Sequence, residues 1–180
     1  ARYGNLQRRE RLERDGVPGV IVTAVDREIA GNSLIMKQIL ESTDILADAT
    51  DRKNPAHPIV PNPWIQYLPK HAVLLDLSVD PYEMTDTNSS VKGIEGIPQG
   101  NLDQYIFFPD DNAFETVPDY VNTQFRRTSV SCYSWPGIKP KESMVWYGGQ
   151  ILPLMRSLSE AGGAEHLKDE GPYFHRALFR

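Results

Sequence analysis

Nearly continuous apolar runs recur along this chain of 180 residues and define its predicted strands. Three of them, at 19–25, 45–50 and 72–79, are rich in valine, isoleucine and leucine. A fourth segment, 128–134, carries β-branched residues and ends at a predicted Pro-Gly turn. Short apolar runs bounded by turn residues are typical of strands buried on both faces of a parallel sheet. We therefore predict four strands, and we expect those at 19–25 and 72–79 to be buried.

Apolar residues spaced three or four positions apart predict helices between and after these runs. Asn32 is predicted to cap a helix with an apolar side, and Asn62 begins a short helix that follows a proline-rich loop. A closing helix is predicted over 141–160, kinked at Pro153 and stopped by Gly162. Its predicted buried stripe consists of Met144, Val145, Ile151, Leu152, Met155 and Leu158.

The alternation of strands and helices predicts an α/β fold, namely a Rossmann-like parallel sheet with helices on both faces. The segment 80–127 shows no regular period, and we expect it to form a cleft wall or a subunit contact. We expect an incomplete chain. Residues 1–16 are interpreted as the end of a preceding helix, 17–161 as the C-terminal part of a dinucleotide-binding domain, and 162–180 as a tail.

Composition narrows the classes of partner. A net charge of -5 argues against nucleic acid, since phosphate binding needs a concentrated basic surface. One cysteine, Cys132, excludes an internal disulfide framework and a cysteine-rich zinc site, and we interpret it as an inert core thiol. The four histidines lack metal-ligand spacing, so no metal is predicted. We expect a soluble cytoplasmic protein that contacts no membrane.

Asp26 and Arg27 follow the first apolar run. A carboxylate at the end of such a strand accepts hydrogen bonds from the ribose hydroxyls of a dinucleotide, and we predict this role for Asp26. The alternative is an aspartate that caps a loop. Arg27 is a candidate for contact with a 2′-phosphate, so the coenzyme is NAD or NADP; the alternative is a solvated arginine.

The ends of the other predicted strands carry the remaining candidate residues. Asp80 is predicted to point toward nicotinamide and substrate as the catalytic residue, or else to cap a turn. Ala49 and Thr50 are predicted to contact the adenosine through backbone groups, or to form a plain turn. Ser134 is predicted to hydrogen-bond the nicotinamide carboxamide, with Trp135 beside it; the alternative is that both only build the turn.

The order of these motifs resembles the NAD(H)-binding domain of the alanine dehydrogenase, transhydrogenase α-subunit and saccharopine dehydrogenase superfamily. The matching segments are VTAVD at 22–26, TDILADAT at 43–50, LLDLSVD at 74–80 and SWPG at 134–137. The stretch from 140 to 148 and the LPL at 152–154 are most similar to the saccharopine and lysine-ketoglutarate branch. The resemblance covers about residues 16–158 and lacks the family's glycine-rich phosphate loop.

The resemblance implies hydride transfer between a nicotinamide coenzyme and an amino or imino acid. The family's lysine and histidine for proton transfer lie in a catalytic domain, which we expect N-terminal to this chain. The Pro-Tyr-Glu at 81–83 and the Ser-Trp at 134–135 depart from the alanine dehydrogenase pattern, which argues against alanine as substrate. A rival hypothesis is a non-catalytic Rossmann-like module for subunit contact or regulation. A homo-oligomer is a candidate assembly.

Overall fold

The computed structural model describes residues 13–16, 19–78, 80–85, 89–163 and 166. Most of the predicted N-terminal helix end at 1–16 and of the predicted tail at 162–180 lies outside these residues. Among the described residues, no helix combines the length and the apolar character that a membrane span requires.

A four-stranded sheet forms the centre of the fold. Its strands are β1 (Ile45–Asp48), β2 (Val73–Asp76), β3 (Ile106–Phe107) and β4 (Thr128–Ser131), in the spatial order β1-β2-β4-β3. Strands β1, β2 and β4 run parallel, whereas β3 pairs antiparallel with β4 at one edge. The predicted α/β class and three of the four predicted strands are therefore confirmed, and β3 was not predicted.

The helices are α1 (Arg27–Ala30), α2 (Ser33–Leu40), α3 (Trp135–Ile138) and α4 (Pro140–Ala161), with 3₁₀ helices at Asn62–Tyr67 and Asn112–Thr116. The predicted cap of α2 is confirmed, because the Asn32 side chain accepts a hydrogen bond from Ile35 N at 3.2 Å. The predicted stop of α4 is also confirmed: Gly162 adopts a φ of 77°, which favours glycine.

The hydrophobic core packs α2 and the first 3₁₀ helix against one face of the sheet. Its fully buried members are Met36, Leu40, Val60, Ile65, Leu68, Ala72, Leu74, Ile94 and Ile97. Leu74 alone comes from a strand, and Ile94 and Ile97 come from the segment predicted to be irregular. On the opposite face of the sheet, Val73, Leu75 and Val130 are only half-buried. The core therefore lies on the side of the sheet that carries Leu74.

The predicted buried strand at 19–25 is wrong. The structure assigns no strand to these residues, and Val20 and Val22 are 82% and 83% exposed. A β-branched run becomes a strand only when a neighbouring strand accepts its backbone hydrogen bonds and covers its side chains. The described part of the chain provides no such neighbour for this run, which explains the failure of the pattern.

Two further expectations about the C-terminal region are corrected. The Pro-Gly turn predicted after 134 is a helical turn, α3, because proline fits the first turn of a helix where no N–H partner is needed. Five of the six residues in the predicted buried stripe of α4 are exposed, with Met144 and Ile151 57% and 51% accessible, and Leu158 is half-buried. No described element covers this face of α4, so its apolar side chains are not packed against another described element.

Candidate functional site

Polar residues form a row across the carboxyl ends of the three parallel strands. Asp48 on β1 is in register with Asp76 on β2, and Asp76 is in register with Ser131 on β4. All three side chains are buried. Open α/β sheets bind ligands beyond the carboxyl ends of their strands, so this row marks the base of the candidate site.

An ion pair occupies the middle of this row. Lys92 Nζ lies 2.8 Å from Asp76 Oδ2, and both side chains are almost completely buried. Asp76 also accepts hydrogen bonds from Ser131 Oγ at 3.2 Å and from Ser78 Oγ at 2.8 Å. Burial acts to raise the pKa of Asp76, but the Lys92 charge and these hydrogen bonds outweigh it and lower the pKa below 3.8. Asp76 is therefore ionised at neutral pH.

Asp48 organises the turn that follows β1. Its Oδ1 accepts hydrogen bonds from Thr50 N at 3.1 Å and from Thr50 Oγ1 at 2.6 Å. Ser78 Oγ lies 3.4 Å from the other carboxylate oxygen and so links the turns after β1 and β2. Ala49 and Thr50, the predicted adenosine contacts, are exposed at this end of β1. Their role as coenzyme contacts stays a prediction.

Asp80, the predicted catalytic residue, is held by two cations. Its carboxylate pairs with the Arg52 guanidinium, and Arg52 Nε donates to Oδ2 at 3.1 Å. Its backbone oxygen accepts a hydrogen bond from Lys92 Nζ at 2.8 Å. The Asp80 side chain remains 28% exposed, whereas that of Arg52 is 6% exposed. Asp80 is thus fixed in place and still reachable from solvent.

Residues 91–95, which we call the crossing segment, hold Lys92 over the sheet. Gly93 O accepts hydrogen bonds from Ile59 N and Val60 N, both at 2.9 Å, and Glu95 N donates to Val60 O. Asp48 lies directly against Gly93. The crossing segment therefore covers the ends of β1 and β2, although sequence analysis assigned this region only to a cleft wall or subunit contact.

Tyr82 completes the buried surroundings of Lys92. The Lys92 ammonium lies 5.4 Å from the centre of the Tyr82 ring, and Tyr82 OH donates to Ile97 O at 2.6 Å. Burial, followed by the negative charges of Asp76 and Glu95, raises the pKa of Tyr82. The phenol is therefore neutral and acts as a hydrogen-bond donor.

Ser134 and Trp135 lie beyond the carboxyl end of β4, at the same edge of the sheet. Ser134 N donates to the sulfur of Cys132 at 3.4 Å, and Cys132 is buried as predicted. Trp135 Nε1 is buried and has no hydrogen-bond partner among the described residues. A buried donor without an acceptor is unusual in proteins and requires a specific explanation.

Asp26 does not follow a strand in the part of the chain that the structure describes. Its Oδ1 accepts a hydrogen bond from Ile29 N at 2.9 Å, so the carboxylate caps the short helix α1 and is exposed. The side chain of Arg27 lies outside the described part of the structure. The predicted ribose and phosphate contacts of these two residues stay predictions.

Topology brings five of the seven predicted site residues to one edge. We define the carboxyl edge as the surface that contains Ala49, Thr50, Ser78, Asp80, Ser134 and Trp135. Sequence analysis missed the buried residues beneath it, which are Asp48, Arg52, Asp76 and Lys92. Asp48 and Asp76 had a signal in the sequence, because each follows an apolar run and is itself followed two residues later by a hydroxyl residue. Arg52 and Lys92 come from irregular segments and had none.

Within the described ranges, no group of three or more histidine, cysteine, aspartate or glutamate residues is arranged to hold a metal ion.

A solved structure of L-alanine dehydrogenase aligns with a TM-score of 0.48 and 16% sequence identity. The alignment covers 87% of this chain and 35% of that protein, so the chain spans about a third of its length. No protein-family model matches the chain, and no curated protein matches it.

Proposed function

We propose that this chain is the cofactor-binding part of an NAD(P)-dependent oxidoreductase that acts on an amino acid. The observation that carries the proposal is the convergence of Thr50, Asp80 and Trp135 at the carboxyl ends of three parallel strands. In this proposal the coenzyme lies across the carboxyl edge, with its adenosine near β1 and its nicotinamide near β4. The substrate approaches Asp80 between them.

The residues present fit a nicotinamide coenzyme at one end of the edge. The buried Trp135 Nε1 lacks an acceptor among the described residues, and a carboxamide oxygen is one acceptor that would satisfy it once a movement of the surrounding groups exposes the atom. Ala49 and Thr50 are exposed at the end of β1, where they are open to contact with the coenzyme. When bound, the coenzyme supplies the hydride acceptor or donor.

Asp80 orients the substrate in this proposal. A carboxylate that is held rigidly and remains partly exposed attracts the cationic nitrogen of an amino acid and fixes its approach. Arg52 and Lys92 prevent the carboxylate from turning away. Proton transfer is assigned to residues of another domain of the intact protein, so the chain by itself binds coenzyme but does not turn over substrate.

The Asp80→Asn variant of the intact protein tests the proposal. Asparagine keeps the shape of the side chain and removes its charge, so we expect kcat to fall by about tenfold or more while coenzyme Kd stays within about twofold. The matched control is Asp44→Asn, because Asp44 pairs with the exposed His71 at the opposite end of the strands. Turnover by Asp80→Asn within about twofold of the parent would remove Asp80 from the site.

A second candidate function is a subunit contact through α4. Met144, Gly148, Ile151 and Met155 recur every three or four residues along its exposed face, which is the spacing of a helix-pairing seam. The seam is complementary to itself. In an antiparallel pair with a second copy of the chain, Ile151 of one copy faces Gly148 of the other, and a large side chain then meets a small one.

A further inference from the structure

Lys92 is a fully buried lysine that joins the two ends of one short segment. Its ammonium donates hydrogen bonds of 2.8 Å to the Asp76 carboxylate and of 2.8 Å to the backbone oxygen of Asp80. Asp76 is the last residue of β2, and Asp80 follows four residues later. The lysine therefore ties the turn after β2 to the end of its own strand.

Arg52 holds the same turn from the outer side. Its guanidinium contacts the Asp80 carboxylate and also donates to the backbone oxygens of Val91, at 2.6 Å, and His57, at 2.9 Å. Val91 directly precedes Lys92, and its N–H donates to Pro55 O at 2.9 Å. Two cations from separate loops, linked through Val91, thus fix both the backbone and the carboxylate of Asp80.

Stability alone does not account for this arrangement. Burying an ammonium and a carboxylate has a large desolvation cost, and well-packed apolar residues in place of a buried ion pair are often equally or more stabilising. The effect specific to the ion pair is geometric: it determines where the Asp80 carboxylate lies at the carboxyl edge. A functional group held by such a second layer of contacts keeps the narrow range of orientations that binding and catalysis require.

We infer that Lys92 is a positioning residue that sets the orientation of the Asp80 carboxylate through the turn after β2. The inference that Lys92 orients the Asp80 carboxylate depends only on the hydrogen bonds described above. Its catalytic consequence, the alignment of a cationic substrate nitrogen by Asp80, rests on the proposed function.

The test replaces both residues of the buried Asp76–Lys92 pair and measures a signal from Arg52, which is not mutated. In the variant Asp76→Asn/Lys92→Met neither buried charge remains, so no uncompensated ion is left. The readout is the NMR signal of the Arg52 Nε–H group, which donates to Asp80 at 3.1 Å. We expect this proton to exchange with solvent slowly in the parent chain and about tenfold or more faster in the double variant.

The matched control is Ser131→Ala. It removes another hydrogen bond to the same Asp76 oxygen, of 3.2 Å, and does not touch Asp80. We expect the Arg52 signal of this control to be unchanged, even if its melting temperature falls. An unchanged Arg52 signal in the double variant would overturn the inference and leave Lys92 with a purely structural role. Should the double variant not fold, Asp76→Asn/Lys92→Gln keeps a shorter neutral donor and is expected to change the signal in the same direction.

This readout requires no coenzyme, so it separates the inference from the proposed function. If the parent protein fails to bind NADH, the proposed function is wrong, and the Arg52 signal still decides the role of Lys92. If NADH binds, the double variant of the intact protein is expected to lose about tenfold or more in kcat while coenzyme Kd stays within about twofold. A parallel loss of coenzyme affinity would contradict positioning through Asp80.

Discussion

Gly93 passes so close to Asp48 that a Cβ atom at position 93 would overlap the Oδ2 atom of the buried carboxylate. Asp48 cannot move aside freely, because it also accepts two hydrogen bonds from Thr50. Gly93 O is in turn fixed by Ile59 N and Val60 N. The crossing segment therefore rests directly on the end of β1, and only glycine fits at the point of contact.

Gly93→Ala is accordingly expected to destabilise the protein by about 2–3 kcal/mol, in the range of overpacked core substitutions. Denaturant unfolding measures this change. The matched control is Gly149→Ala in α4, outside the proposed seam, where a Cβ would meet nothing within 4 Å. Since alanine favours helix more than glycine does, the control is expected to stabilise the protein by about 0.5–1 kcal/mol. A Gly93→Ala variant as stable as the parent would contradict the packing described above.

The Asp76–Lys92 pair predicts a pH dependence of stability. The pKa of Asp76 is lowered in the folded protein, so its contribution to stability is present above the ordinary value of 3.8 and is lost as pH falls through the folded value. Urea unfolding of the parent should therefore show a progressive loss of stability as pH falls below about 4. The same loss should be smaller in Asp76→Asn/Lys92→Met, which lacks the carboxylate. If the parent and the double variant lost the same amount of stability at low pH, the Asp76–Lys92 pair would not be the cause of the acid sensitivity.

Two variants of Asp26 separate its observed role as a helix cap from its predicted role in coenzyme binding. Asp26→Ala removes both the helix cap and the predicted ribose contact. The loss of charge-assisted bonds to ribose should weaken coenzyme binding by about 1.5–3 kcal/mol, or about tenfold or more in Kd. Asp26→Asn keeps a capping oxygen but removes the charge, and asparagine is as good a helix cap as aspartate.

Calorimetric titration of the intact protein with NAD and NADP measures both variants. Reduced affinity in Asp26→Asn at unchanged melting temperature would support the ribose contact. If both variants bind both coenzymes like the parent, Asp26 is only a cap. A selective gain in NADP affinity would assign the 2′-phosphate contact to Arg27, because the repelling carboxylate is gone.

Ile151→Asp tests the self-pairing of α4. The substitution places a charge at the centre of the seam, where the second copy would desolvate it, and should convert a dimer into a monomer. Light scattering coupled to gel filtration gives the mass directly. Arg156→Gln is the control, because it changes the net charge by the same amount on the side of α4 away from the seam. A parent chain that stays monomeric at about 100 μM would exclude the self-paired helix as a stable interface.

The parts of the fold that the sequence predicts correctly are those determined by local pattern. β1 and β2 coincide with short apolar runs, and α2 begins at the asparagine that caps it. The run at 19–25 and the apolar face of α4 carry equally strong patterns, yet both are exposed. An apolar pattern indicates which side chains of a segment need to be buried. Whether the described residues bury them depends on the tertiary structure.

The residues of the candidate site also fall into those that local sequence predicts and those that it does not. Asp80, Ser134 and Trp135 were identifiable because they follow predicted strands, and parallel strands necessarily end at a common edge. Lys92 and Arg52 were not identifiable, because they lie in loops without any period and reach Asp80 across 12 and 28 positions of the chain. Buried charge pairs between distant loops depend on the path of the backbone, which local sequence does not encode.

The most direct test of coenzyme binding at the carboxyl edge is a titration of the isotope-labelled chain with NADH, followed by two-dimensional NMR. We predict saturable shifts of the amides of Thr50, Ser78 and Asp80 and of the Trp135 indole N–H, which gains an acceptor on binding. NADPH in a parallel titration reports on coenzyme preference. Saturable shifts confined to α4, or none at millimolar NADH, would contradict the proposed site.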